Sequence, residues 1–187
     1  MKPSVKIDEF SDEDLVKKIV ETKESVLFAE LYDRYAPKVY NKCLGFAKSR
    51  VEAEDLTHDI FIKLYMKLHT FKGTSKFSTW MYSFTYNFCV NYVQRNSYKI
   101  REKVQQVESD ENEVDGVDEY DIFQLKAKKL KRVLSIIDPK DKMILLLKYQ
   151  DELSIKELQT VFEISESAVK MRLKRAREKV MAIYKKL

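Results

Sequence analysis

Apolar residues recur every third or fourth position along much of this chain, the spacing that places them on one side of an α-helix. Residues 26–48 predict one helix that is bent near Pro37. Its inward side comprises Phe28, Leu31, Tyr35, Val39 and Cys43. A second helix is predicted to begin with acidic residues in its first turn, where carboxylates suit the helix dipole. These acids are Glu52, Glu54 and Asp55, and the buried stripe behind them is Leu56, Ile60, Leu64 and Leu68.

The next segment changes character, since Gly73 and small hydroxyl residues between Phe71 and Phe77 predict a loop. A third helix is predicted to start near Ser78 or Thr79. Its inward stripe is expected to be Trp80, Phe84, Phe88 and Tyr92, which recur every fourth residue. That orientation leaves the loop, with Lys76, and three helix residues facing outward: Tyr82, Tyr86 and Asn87.

The carboxyl-terminal part of the chain carries the start signals of a helix-turn-helix. Asp138-Pro139 predicts a helix start, and the buried side of that helix lies between Met143 and Leu147. Ser154 and Glu157 form a capping box for the next helix. A tight turn at Glu163-Ile164 then leads to Ser165, the cap of the last helix. The inward faces of these two helices are Ile155, Leu158 and Phe162, then Val169, Leu173, Ala176, Val180 and Ile183.

The distribution of charge adds a candidate chemistry to the first module. Residues 60–101 contain seven cations and no Asp or Glu, together with a dense series of aromatic residues. Aromatic rings stack on unpaired bases, at roughly 1–3 kcal/mol per base, and an unbroken positive field attracts phosphates. The alternative is a buried helix, but a core role does not explain why acids are absent. The window therefore predicts a surface for single-stranded nucleic acid.

A block of acids separates the two modules. Residues 108–121 hold eight Asp and Glu residues and no Lys or Arg, so the rest of the chain sums to +13 (5 + 8). A segment with so much charge of one sign and few large apolar residues cannot bury enough surface to fold alone. We therefore expect two small helical domains joined by a flexible acidic linker, and an all-α fold.

The last helix is basic on the side opposite its apolar stripe. Early turns of such a recognition helix reach base edges in the major groove, and later cations hold phosphates. The residues expected near bases are Ser165, Glu166, Ser167, Lys170, Met171 and Lys174. The cations expected near the backbone are Arg172, Arg175, Arg177 and Lys179. The alternative is a solvated basic helix in a bundle, which does not account for the two caps and the short turn.

Composition narrows the functional classes. The three glycines lie far apart, which argues against phosphate-cradling loops. Cys43 and Cys89 are expected to be reduced core residues, and the two histidines complete no metal site with them. No apolar run is long enough to span a bilayer. We expect a soluble cytoplasmic protein that is not an enzyme and needs no cofactor.

Three pieces of the chain, in order, resemble the extracytoplasmic-function (ECF) sigma factors, the small two-domain specificity subunits of bacterial RNA polymerase. The pieces are residues 54–61 (EDLTHDIF), residues 71–80 (FKGTSKFSTW) followed by Asn87, and residues 164–177 (ISESAVKMRLKRAR). The resemblance covers nearly the whole chain beyond the first dozen residues. It implies an amino-terminal arm (1–11), sigma region 2 (12–101), the acidic linker (102–122) and sigma region 4 (123–187).

The resemblance also implies roles. The exposed patch of Asp55, His58 and Asp59 matches the surface that docks on the coiled coil of the polymerase beta-prime subunit. The loop and the helix after it match the part that captures an unpaired base of the minus-ten promoter element, and the last helix matches the reader of the minus-thirty-five element. The minus-ten residues are thus Phe71, Lys72, Gly73, Thr74, Ser75, Lys76, Phe77, Ser78, Thr79, Trp80, Tyr82, Tyr86 and Asn87. The resemblance implies three partners. They are core polymerase (its beta-prime and beta subunits), promoter DNA and an anti-sigma factor.

Three positions depart from the family pattern. His58 stands where Gln is common, Asn91 where Asp is frequent, and Glu163 where Gly is usual in the turn. A left-handed backbone at Glu163 would cost roughly 1 kcal/mol. An ordinary helix-turn-helix regulator with an amino-terminal dimerisation or signal-binding bundle is the alternative function, but it leaves the first module unexplained. A nucleic-acid-modifying enzyme has less support, because the acid-free window holds no catalytic constellation.

Overall fold

The computed structural model describes the backbone of residues 9–100 and 119–187, and the side chains of residues 9–95 and 126–187. Within these ranges the chain is helical and contains no strand, which confirms the all-α prediction. A short 3-10 turn, Leu68–Thr70, precedes α4. The helices are α1 (Asp12–Thr22), α2 (Ser25–Cys43), α3 (Arg50–Lys67), α4 (Phe77–Ile100), α5 (Glu119–Ile136), α6 (Pro139–Tyr149), α7 (Ile155–Phe162) and α8 (Glu166–Lys186).

Side-chain caps fix where most of these helices begin. In each case an oxygen of the capping residue accepts a backbone N–H of the first turn, a group that the helix itself leaves without a partner. The capping residues are Ser11, Ser49, Asp138, Ser154 and Ser165. The caps at Asp138, Ser154 and Ser165 confirm the predicted starts of α6, α7 and α8. The capping box between Ser154 and Glu157 is complete.

Helices α1 to α4 form the amino-terminal domain. The stripe predicted for α3 is buried as expected, and α2 contributes Leu31, Tyr35, Val39 and Cys43 to the same core. Helix α1 was not predicted, and α2 ends at Cys43 rather than at Lys48. Helix α4 begins at Phe77, next to the start predicted near Ser78 or Thr79.

The side of α4 that enters the core is also not the predicted one. Its buried residues are Phe77, Thr79, Met81, Tyr82, Thr85 and Cys89, so Thr79 of the predicted minus-ten set lies in the interior. The predicted stripe of Trp80, Phe84, Phe88 and Tyr92 is only half-buried. The predicted stripe and the buried row from Phe77 to Cys89 each recur every fourth residue, so the period fits either side of the helix and does not choose between them.

Helices α5 to α8 form the carboxyl-terminal domain, in which α6, α7 and α8 pack around Ile144, Leu147, Leu158 and Leu173. Helix α5 begins at Glu119, inside the predicted linker, and most of that linker lies outside the described residues. The turn between α7 and α8 has a left-handed residue at Glu163, with φ 53° and ψ 41°. Glu163 therefore adopts the left-handed conformation that glycine, the usual residue at this position in the family, adopts without strain.

The two domains pack directly against each other. The main contact is α7 of the carboxyl-terminal domain against α4 of the amino-terminal domain. Because α4 carries most of the residues predicted to bind single-stranded nucleic acid, this contact determines which of them are open to solvent.

Candidate nucleic-acid interface

The loop between α3 and α4 is held at both ends. Gly73 has φ 69°, a conformation that side chains disfavour, while the space around its absent Cβ is empty. Backbone geometry rather than crowding therefore makes glycine suitable there. On the downstream side the Phe77 N–H donates to Glu13 Oε1 of α1 at 2.8 Å. Phe71 packs edge-on against Phe77 and lies 5.6 Å from the ring of Trp80.

An open cleft of about 770 Å³ lies between α3, α4 and α7, with Thr70 as the lining residue nearest in sequence to the loop. Its aromatic wall comprises Trp80, Phe84 and Phe88, with the rings of Trp80 and Phe84 stacked at 5.8 Å. Cations stand at the edge, and Lys63 Nζ lies 4.7 Å from the centre of the Phe88 ring. The remaining lining includes Lys67, Asn87 and Asn91, with Gln159, Thr160 and Glu163 on the α7 side. Rings and cations in one cleft suit unpaired bases and their phosphates.

The predicted inward orientation of these rings holds only in part. Phe84 and Phe88 were expected in the core, and they are half-buried against it while also lining the cleft. Trp80, which was assigned both to the inward stripe and to the minus-ten site, also lies on the cleft wall. Met81 and Cys89, each one position after a residue of the predicted stripe, occupy the core instead.

Tyr82 was expected to face outward and is instead buried in the contact between the domains, with 3% of its surface exposed. Its hydroxyl donates to Asp151 Oδ1 at 2.8 Å. The ammonium of Lys42, also buried, lies 2.5 Å from the other oxygen of Asp151. Burial lowers the pKa of Lys42, an effect that its hydrogen bond to Asp151 opposes. Burial, and then the Asp151 carboxylate, raise the pKa of Tyr82.

Two further predicted DNA contacts lie at the junction of the domains. The ring of Tyr86 packs edge-on against Phe162 of α7, with centroids 4.7 Å apart. The guanidinium of Arg172, from α8, lies 4.7 Å from the centre of the Phe162 ring and donates to the Lys140 carbonyl at 3.1 Å. Arg172 is therefore turned toward α4 and α6 rather than toward solvent.

Lys76, at the end of the loop, contacts the carboxyl-terminal domain through its ammonium. Its Nζ lies 3.1 Å from Glu157 Oε1, while 74% of the Lys76 side chain stays exposed. The hydrogen bonds from Ser154, followed by that from Lys76, lower the pKa of Glu157. This ion pair is the most accessible of the contacts between the domains described above.

The residues of α8 and its cap that were predicted to contact bases are exposed to solvent, as expected. Lys170 and Lys174 are largely exposed and are paired with acids one turn away, Glu166 at 2.5 Å and Glu178 at 3.9 Å. The capping hydroxyl of Ser165 lies 3.1 Å from that of Ser167. The other exposed residues of the predicted set are Met171, Arg175, Arg177 and Lys179, of which Lys179 pairs with Asp141 at 2.5 Å.

A separate exposed face lies on α3. Asp55, His58 and Asp59 are all exposed, as predicted. The same side of the helix continues into Ile62 and Met66, whose exposed fractions are 61% and 68%. Ile62 follows Asp59 by three residues and Met66 follows Ile62 by four, so the three side chains form one continuous stripe. Sequence reasoning missed these two apolar residues, although their position outside the buried stripe was a usable signal.

Other site types find no support in the described part of the chain. Across residues 9–95 and 126–187, no three His, Cys, Asp or Glu residues lie close enough together to hold a metal ion. None of the helices in the described ranges is long and apolar enough to cross a bilayer. Cys43 and Cys89 are free thiols in the core of the amino-terminal domain.

Comparison with protein families gives two matches in the order of the domains. The family model for Sigma-70 region 2 matches residues 31–98, and the model for Sigma-70, region 4 matches residues 127–180. The first match covers the loop, the cleft helix α4 and the exposed face of α3. The second covers most of α5 and all of α6 and α7, and it extends into α8.

Curated proteins show the same likeness along most of the chain. The ECF RNA polymerase sigma factor SigW of Bacillus subtilis (strain 168) is 30% identical over 160 residues, which cover 81% of this chain and 85% of SigW. The ECF RNA polymerase sigma-E factor of Escherichia coli (strain K12) is 27% identical over 181 residues, covering 92% and 94% of the two chains.

Solved structures show the same fold. One is CnrH in complex with the cytosolic domain of CnrY, with a TM-score of 0.65, 17% identity and coverage of 92% of this chain and 96% of that one. Another is the sigma factor RpoE in complex with the anti-sigma factor NepR from Bartonella quintana, with a TM-score of 0.66, 15% identity and coverage of 84% and 96%.

Proposed function

Given that this chain belongs to the ECF family of RNA polymerase sigma factors, we propose that it binds core polymerase, recognises the minus-ten and minus-thirty-five promoter elements and promotes DNA melting for transcription initiation. The observation that carries the proposal is the 30% identity with SigW along 85% of that protein. The region 2 match also accounts for the amino-terminal module, which the alternative of an ordinary helix-turn-helix regulator leaves unexplained.

The minus-ten element is assigned to the loop and the cleft. An unpaired base would stack on Trp80 or Phe84, while Lys63 and Lys67 on the cleft attract the neighbouring phosphates. Asn87, exposed and on the cleft, supplies an amide that can both donate and accept hydrogen bonds to a base edge. The cleft thus offers stacking, charge and polar readout within one surface.

The minus-thirty-five element is assigned to α8. Its amino-terminal residues Ser167, Lys170 and Lys174 are exposed and suit base edges in the major groove. Arg175 and Arg177 suit phosphates, where a cation fixes position without reading sequence. Arg172 would join them only after leaving the ring of Phe162.

Core polymerase is assigned to the exposed face of α3. Two carboxylates, Asp55 and Asp59, can steer docking to a basic surface, and Ile62 and Met66 add apolar area beside them. An anti-sigma factor is proposed as a further partner, since RpoE was solved in complex with one. We propose that this sigma factor acts in the cytoplasm. The polymerase, and not this chain, forms the phosphodiester bonds.

The deciding experiment adds the purified chain to sigma-free core RNA polymerase and a library of promoter fragments. We expect initiation at a defined subset of promoters. Initiation that is equally frequent with and without the chain would contradict the proposal, and promoter binding by the chain alone would favour the helix-turn-helix regulator.

A further inference from the structure

The amino-terminal domain brings together two thiols that are 46 residues apart in the chain. Cys43 is the last residue of α2 and Cys89 lies in α4, and their Sγ atoms are 3.9 Å apart in the core. The chain contains no other cysteine. We propose that Cys43 and Cys89 form a redox-active dithiol, which hydrogen peroxide closes to a disulfide between α2 and α4. This site is independent of the proposed function.

The two sulfurs are already placed for such a bond. Atoms of this size at 3.9 Å are in contact, so no third atom lies between them. A disulfide bond is about 2.0 Å long, so each sulfur has to move by about 1 Å toward the other. Rotation of each side chain about its Cα–Cβ bond moves the sulfur while the backbone stays in place. Closure therefore needs only a local adjustment of α2 and α4.

The two thiols are not equivalent. Their mutual hydrogen bond lowers the pKa of Cys43, an effect that burial opposes. The same hydrogen bond, followed by burial, raises the pKa of Cys89 well above its ordinary value. The thiolate is the nucleophile in thiol chemistry. Cys43 is therefore the sulfur that reacts with peroxide, and Cys89 is the sulfur that completes the disulfide.

The reaction balances with hydrogen peroxide as the oxidant. The Cys43 sulfur attacks one oxygen, the O–O bond breaks, and the leaving hydroxide takes up the proton that Cys43 has lost, which gives a sulfenic acid and a water. The Cys89 sulfur then attacks the Cys43 sulfur, the S–O bond breaks, and the hydroxide leaves with the Cys89 proton as a second water. Two electrons pass from the sulfurs to the peroxide.

Peroxide can reach the pair through the end of α2. Both side chains are 0% exposed, so the oxidant enters only when the surrounding structure opens. The turn after Cys43 is held by the N–H groups of Phe46 and Ala47, which donate to the Cys43 carbonyl at 2.8 and 2.9 Å. Helix ends open at lower free energy than helix interiors. We therefore expect oxidation to be slower than that of an exposed side chain, but to occur in the folded protein.

The disulfide would close a ring that includes all of α3 and the loop before α4. Such a cross-link restricts the unfolded chain more than the folded one, so it stabilises the domain when the native geometry is kept. In reducing compartments, thiols are kept reduced, and the disulfides that form there are usually transient and catalytic or redox-sensing. The bond would thus make the stability of the amino-terminal domain depend on oxidation.

The first test treats the full-length folded chain with hydrogen peroxide, removes the peroxide with catalase, and blocks the remaining thiols with N-ethylmaleimide in denaturant. Mass spectrometry should show a chain without maleimide in which the Cys43 and Cys89 peptides are joined, until a phosphine reductant separates them. Met66, which is 68% exposed, reports that peroxide has acted, because it gains an oxygen in the same sample.

Two results of this test would overturn the proposal. One is Met66 oxidised while both cysteines carry maleimide, which would make the pair core packing alone. The other is a sulfinic acid at either cysteine in place of the disulfide. Neither result depends on a variant, since the wild-type chain is the sample.

The second test measures the urea midpoint of unfolding of the oxidised wild type before and after phosphine, which breaks the disulfide and leaves methionine sulfoxide in place. We expect a higher midpoint before reduction. Cys89→Ala, treated in the same way, should show the same midpoint in both samples, because it cannot form the bond. A midpoint of the disulfide form that is equal to or below that of the reduced form would overturn the proposal, since the bond would then not fit the folded domain.

Discussion

Replacing Glu163 with glycine should stabilise the protein. Glu163 ends α7 in a left-handed conformation, with φ 53°, and its N–H donates to the Gln159 carbonyl. That conformation brings Cβ close to the following carbonyl oxygen and costs a non-glycine residue roughly 1–2 kcal/mol. The Glu163 side chain is exposed, so little favourable contact is lost with it.

The gain is smaller than the strain, because glycine also makes the unfolded chain more flexible. That entropic effect is about 0.4–1 kcal/mol, which leaves a net stabilisation of about 0.5–1 kcal/mol for Glu163→Gly. One kcal/mol raises the melting temperature by roughly 2–4 °C if the 187 residues unfold together, and by roughly 4–8 °C if a domain of this size class unfolds alone.

Urea denaturation and thermal melting of three proteins check this prediction. Glu163→Ala is the matched control, since it removes the same carboxylate but keeps a Cβ in the left-handed conformation. We expect its free energy of unfolding to stay within about 0.5 kcal/mol of wild type. If the glycine and alanine variants unfold at the same urea concentration with the same slope, backbone strain at Glu163 is not the explanation.

Four more outcomes are expected. Asp59→Arg should weaken retention of core polymerase in a pull-down, whereas Glu21→Arg, a charge reversal at an exposed position on α1, should not. Equal retention by the two variants would contradict the proposed docking surface. Because the pKa of Glu157 is lowered in the folded protein, its carboxylate contributes fully to stability above the ordinary carboxyl pKa, and this contribution is lost as pH falls through the lowered pKa. Glu157→Gln should therefore make the urea midpoint of unfolding fall less steeply as the solution is acidified. Lys174→Ala should weaken binding to minus-thirty-five duplexes, by about 1–3 kcal/mol if its contact is to a base, and leave single-strand binding unchanged; an equal loss on both would refute separate sites. Changing the eight acids of residues 108–121 to Asn and Gln should lower full-length transcript yield at fixed salt, whereas equal yield would make this segment a passive spacer.

The spacing of apolar residues predicted the buried side of a helix correctly where it indicated only one side. In α3 the predicted stripe lies on a single side, and Leu56, Ile60 and Leu64 are buried as expected, while the apolar residues Ile62 and Met66 lie off the stripe and are exposed. In α4 large apolar residues occupy two sides, so Trp80 and Met81 have equal claims on the core. Only the shape of the space left by α2 and α3 decides between them, and that shape is set by distant parts of the chain.

Helix α1 was missed although its signal is present in the sequence. Ser11 is followed by three acids, which is typical of a capped helix start, and Leu15 and Ile19 follow at helical spacing. The contact between the domains is a different case. Asp151 lies in a polar turn and Lys42 on a helix with other cations, and no local pattern indicates that the two charges meet in the interior.

The hydrogen bond from the Phe77 N–H to Glu13 joins the start of α4 to a helix 64 residues earlier in the chain. Because the donor is a backbone group, every residue type except proline at position 77 preserves it, and the acceptor alone can be lost by substitution. A chimera that receives residues 71–77 from a relative therefore keeps the loop's anchor only if its own first helix supplies a carboxylate at the equivalent of position 13. Under the proposed minus-ten role of the loop, exchange of promoter specificity between such proteins therefore involves two segments, the loop and the first helix.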